Sequence, residues 1–64
     1  MTIQEIKQAV NSGKKVYQGD KSYEVIKDHK DQWFIKCNIN NHMIGLTWAD
    51  NKTLNAKENT FFTI

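Results

Sequence analysis

Arginine and proline are both missing from this 64-residue sequence, cysteine occurs once, and glycine only three times. Each absence narrows the range of functions. Without arginine the chain lacks the guanidinium fork that phosphate-seeking surfaces usually employ, and its nine lysines are scattered instead of clustered. Set against seven acids they leave a net charge of +2, which is a mild electrostatic signal. The lone Cys37 can close no internal disulfide. The opening Met1-Thr2-Ile3-Gln4-Glu5 has neither the basic nor the apolar segment of a secretory leader, so a cytoplasmic location is expected. No apolar run approaches the ~20 residues that a membrane-spanning helix needs, and no membrane partner is expected. The dispersed glycines form no phosphate-cradling loop. With no linker, repeat or low-complexity tract, residues 1–64 read as one domain.

What is present is a hydrophobic fraction of 39% with seven aromatic residues, which argues against disorder. A chain this short buries roughly 60% of its unfolded surface, so the core must be small. Stability on the order of 3–5 kcal/mol is then expected, and association with a partner protein or a second copy of the chain would be favourable.

The N-terminal segment carries both ends of a helix. Thr2 can cap it, Glu5 stands three residues later to complete a capping box, and Gly13 supplies a left-handed terminator. Over about Ile3 to Ser12, residues Ile3, Ile6, Ala9 and Val10 form an apolar stripe. Beyond Gly13 the pattern changes to short β-branched and aromatic runs separated by turn formers. The expected strands are Lys15 to Gln18, Ser22 to Lys27, Gln32 to Asn38, Met43 to Trp48 and Thr60 to Ile64. Between the last two, residues 49–59 read as a polar loop with a tight turn at Asp50-Asn51-Lys52, and Leu54 and Ala56 as apolar anchors. The fold class is α+β, with one N-terminal helix packed on a four- to five-stranded antiparallel meander that could curl into an SH3-like half-open barrel.

Residues that could carry chemistry are few. Cys37 and His42 flank the Asn38 to Asn41 turn and could form a thiolate-generating pair, yet Cys37 alternates in phase with Trp33 and Ile35 and reads as a core residue. Cys37, His42 and His29 with scattered carboxylates have no recognised metal-ligand spacing. Asp28 and Asp31 bracket a turn, where acids commonly cap backbone groups. Neither Ser12 nor Ser22 sits in a nucleophile elbow. No catalytic, cofactor-binding or metal-binding residue is expected, and the protein is read as a non-enzyme.

The aromatic residues say more. Neighbours on a strand point to opposite faces, so Trp33-Phe34 and Phe61-Phe62 must each send one ring inward and one outward. If the helix covers one face, the other is either a binding surface or is closed over by the 49–59 loop. The expected binding surface comprises Lys15, Tyr17, Tyr23, Phe34, Lys36, Trp48, Asp50, Lys52 and Phe62. Such rings could anchor a protein interface. Interleaved with lysines, they could instead stack the bases of a single-stranded nucleic acid. The weak positive charge favours the protein partner, and a purely structural role is the remaining alternative.

Gly13-Lys14-Lys15-Val16-Tyr17, Tyr23 to Asp28, Ile44 to Asp50, Thr53-Leu54-Asn55 and Phe61-Phe62 together make a pattern that covers most of the chain from Val10 onward. In these segments the sequence resembles a group of short uncharacterised proteins carried by bacterial phages, prophages and plasmids. The resemblance implies no catalytic or ligand residues. It implies a mobile-element setting, in which small accessory proteins act by binding, for instance by inhibiting or regulating a host defence complex.

Overall fold

The computed structural model describes residues 1–50 and 52–64, so Asn51, the centre of the expected Asp50-Asn51-Lys52 turn, lies outside the described residues. Helix α1 spans Ile3–Asn11 and begins with a closed capping box. The Glu5 N–H donates to Thr2 Oγ1 at 3.2 Å and the Thr2 N–H donates to Glu5 Oε1 at 2.8 Å. The backbone bond from Thr2, aided by its side chain, holds the Glu5 carboxyl below its ordinary pKa. Ser12 forms the C-cap and Gly13 follows at φ 86°, a left-handed conformation that terminates the helix one residue earlier than the apolar pattern implies.

Five antiparallel strands follow: β1 Val16–Gln18, β2 Asp20–Lys27, β3 Trp33–Cys37, β4 Met43–Gly45 and β5 Phe61–Thr63. Their spatial order is β4-β3-β2-β1-β5. The first four make the expected meander, and β5 returns to the far side of β1. The sheet is open, with β4 and β5 as its edges, and does not curl into a barrel.

The main departure from the sequence pattern comes after Gly45. Met43 to Trp48 alternates as one strand would, but β4 ends at Gly45. A Cβ at Gly45 would sit 3.1 Å from the Thr47 carbonyl oxygen, so glycine permits the close approach where the chain turns. Residues 46–48 then pair with 53–55. Trp48 N–H donates to Thr53 O at 2.9 Å, Asn55 N–H donates to Leu46 O at 2.9 Å, and Thr47 and Leu54 form an antiparallel bridge. Part of the expected loop is therefore a stapled turn, and a 3-10 turn at Glu58–Thr60 leads into β5.

Ile6 of α1, Val16, Val25, Ile35, Leu46 and Phe61 form the core, and Leu54 and Ala56 pack against it. Each such side chain contributes about 1.5–3 kcal/mol by leaving water. Leu46, Leu54 and Ala56 thus cover the same side of the sheet as the helix. The expected apolar anchors of the loop, Leu54 and Ala56, are therefore spent on the core.

Candidate functional site

Strand register divides the aromatic residues between two faces. On the helix side, Val25 stands opposite Ile35, Lys27 opposite Trp33, and Tyr23 opposite Cys37. On the other side a row crosses the whole sheet in the order Met43, Lys36, Glu24, Tyr17, Phe62. Beside it Ile26 pairs with Phe34, and Phe34 with Gly45. In each adjacent aromatic pair the inward ring is now identified: Phe61 is in the core and Trp33 packs against it, whereas Phe62 and Phe34 lie on the outer face.

Of the nine residues expected to form a binding surface, Tyr17, Phe34, Lys36 and Phe62 share the outer face. Tyr17 contributes little contact area there, because it is 8% exposed, with its ring centroid 5.7 Å from that of Phe62. Tyr23 belongs to the helix-side face, beyond the reach of α1, and is 42% exposed. Lys15 is exposed just before β1. Trp48, Asp50 and Lys52 sit in the turn after β4, where Trp48 shares a concavity with Phe34.

Asp50 serves its own turn. Its Oδ1 accepts the N–H groups of Lys52 at 2.9 Å and Thr53 at 3.0 Å, and its Oδ2 accepts the Thr53 hydroxyl at 2.8 Å. The Thr53 and Lys52 backbone bonds, followed by the Thr53 hydroxyl, hold its carboxyl below the ordinary aspartate pKa. A lowered folded pKa means that this stabilisation is complete above the ordinary aspartate value and is lost as pH falls through the folded one. Acid titration of wild type and Asp50→Asn, followed by thermal unfolding, should show the variant losing less stability across that interval. Parallel curves would contradict this assignment.

The acids of the β2–β3 turn are engaged in the same way. Asp28 Oδ1 accepts the N–H groups of Lys30 and Gln32, each at 2.9 Å, and Asp31 pairs with Lys27 at 3.6 Å. Cys37 and His42 are direct cross-strand neighbours, with the Cys37 N–H donating to His42 O at 2.7 Å. Such pairs project from the same face. Both line a shallow apolar pocket of about 210 Å³ with Tyr23, Ile35, Asn40 and Ile44, but no hydrogen bond joins thiol to imidazole among the described residues. Nor do three or more His, Cys, Asp or Glu side chains converge as metal ligands among the described residues. No helix of the described residues is long and apolar enough to cross a membrane.

Sequence reasoning expected the β3–β4 hairpin but missed the exposed apolar side chains it carries. Ile39 is 80% exposed, Met43 52% and Ile44 53%, and with Tyr23 they leave apolar side chains on both faces of one end of the sheet, Ile44 with Tyr23 on the helix side and Met43 on the outer face. Ile39 between asparagines was the available signal, since a large apolar side chain has no packing role at the tip of a polar turn.

The backbone of β4 is engaged on its open side at one point. Cys37–His42 and Trp33–Leu46 are hydrogen-bonded pairs, so by alternation Met43 and Gly45 turn their backbone groups away from β3. The Gly45 carbonyl is already occupied by Asn55 Nδ2 at 3.1 Å. The Gly45 carbonyl is thus engaged within the chain, while the Met43 backbone groups face outward along this edge.

A second concavity, of about 530 Å³, lies at the other end of β3, between Trp33, Phe34 and Trp48. The ammonium groups of Lys7 and Lys27 each lie 5.6 Å from the Trp33 ring centroid. Comparison with protein-family models, curated proteins and solved structures finds no match to the chain.

Proposed function

We propose that the protein is a non-catalytic binding protein that docks onto another protein through the β3–β4 end of its sheet and the outer face running back from it. One observation carries this reading. Four of the large apolar side chains left in water belong to this one end, Tyr23 and Ile44 on its helix side, Met43 on its outer face and Ile39 at the hairpin tip. Scattered exposed apolar residues are ordinary, whereas several on both faces of one edge of so small a protein call for a partner that wraps that edge. Phe34 and Phe62 extend the apolar area, and Lys36 opposite Glu24 supplies polar groups between them. The resemblance to mobile-element proteins supports a host complex, such as a defence complex, as the partner class.

The test compares wild type with the double variant Met43→Glu, Ile44→Glu in quantitative capture from bacterial lysate, after circular dichroism has established that both are folded. At least one protein retained by the wild type should fall about tenfold or more in the variant, as expected when apolar anchors are lost. Equal retention of every captured protein would overturn the reading. Sedimentation of the purified chain addresses the remaining occupant, because a dimer abolished by the same variant would make the partner a second copy.

A further inference from the structure

We propose that the cleft between Trp33, Phe34 and Trp48, at the other end of β3 from the exposed hairpin, is a second site that binds single-stranded nucleic acid. A base would stack on Trp48 and a phosphate would meet the Lys7 ammonium. Trp48 is 63% exposed although its backbone is held in place by the bond from its N–H to Thr53 O at 2.9 Å. A large ring presented to solvent on a stapled turn is a preorganised stacking platform. The cavity of about 530 Å³ falls within the range of small-ligand sites.

Charge decides between ligand classes. Lys27 is already engaged by Asn11 Oδ1 at 2.9 Å and by Asp31 at 3.6 Å, and the latter contact offsets the Asp31 carboxylate on the rim of the cleft. Lys7 lies over Trp33 with no carboxylate within ion-pair distance among the described residues. Lys7 and Lys27 against Asp31 leave one positive charge beside two indoles. A neutral sugar would use the rings and leave the ammonium unpaired. A nucleotide unit uses both, since every base has a π-face and every linkage an anion. Backbone-tracking contact by one or two lysines also suits a chain with no arginine, because it requires no bidentate readout.

Fluorescence anisotropy of a labelled ten-residue oligothymidylate, titrated with the full chain at low salt, tests this directly. Saturable binding is expected, with log K falling against log salt at a slope of about −0.7 for each phosphate engaged. Trp48→Ala should weaken binding about tenfold or more, the lower part of the range for losing a stacked base, and Lys7→Gln should reduce the salt slope. The Met43→Glu, Ile44→Glu variant should bind the oligonucleotide as wild type does, so that failure at either site is told apart from failure at the other. Three results would overturn the proposal: no binding at low salt, binding unchanged in a folded Trp48→Ala variant, or thymidine monophosphate binding as tightly as the oligomer. Saturable quenching of tryptophan fluorescence by maltohexaose, without oligonucleotide binding, would assign the cleft to a sugar and equally overturn it.

Discussion

Leu46→Ala is expected to leave much of the protein unfolded at room temperature. Leu46 is fully buried in the core, and truncating such a residue typically costs about 2–5 kcal/mol. A single-core domain of this size commonly has only about 3–5 kcal/mol to lose. The position is also where β4 gives way to the stapled turn: its N–H donates to Trp33 O at 3.1 Å and its carbonyl accepts from Asn55. The side chain therefore pins the 46–56 segment beneath the sheet. Urea denaturation of Leu46→Ala beside Trp48→Ala checks this. Two residues apart, the first should lose most of its folded baseline while the second keeps a midpoint near wild type, and similar midpoints would refute the assigned burial.

The second large effect separates two adjacent rings. Phe61 is 3% exposed in the core, so Phe61→Ala should cost about 3–5 kcal/mol and compromise folding. Phe62 lies half-buried on the outer face against Tyr17, with the rings tilted at 35°. Losing that aromatic pairing is worth about 0.5–1.5 kcal/mol beyond the loss of its part-buried area, which leaves Phe62→Ala folded but destabilised. Calorimetric midpoints of the two variants provide the measurement. If Phe62→Ala were the more damaging, the two faces of β5 would be reversed, and with them the face assigned to docking.

The aromatic residues also show what could be read in advance. Alternation alone established that one member of Trp33-Phe34 and one of Phe61-Phe62 must face outward, because the pleat allows nothing else. It could not say which, since both members are equally apolar and the side of the sheet that α1 covers is not encoded in the strand. Tyr17 illustrates the limit more sharply. It lies on the outer face as a binding residue should, yet its place on an interior strand beside Phe62 buries it. Asp50 and Trp48, neighbours in the same turn, also diverge: the carboxylate is engaged locally by Lys52 and Thr53, while the indole is left in water.

By itself the sequence determined the features that depend on near neighbours. The capping box of Thr2 and Glu5, the helix stop at Gly13, the alternation of the strands and the turns between them all rest on interactions spanning a few residues. It also determined what chemistry is absent from the composition, above all arginine and a second thiol. Only the tertiary structure decided where β4 ends, that Leu54 and Ala56 pack on the core, and how Ile44 comes to stand beside Tyr23. Those outcomes depend on contacts between distant parts of the chain: Leu46 with the core, Asn55 with Gly45, β5 with β1. Such contacts are set by competition for a single small apolar interior, and no local pattern records who wins it.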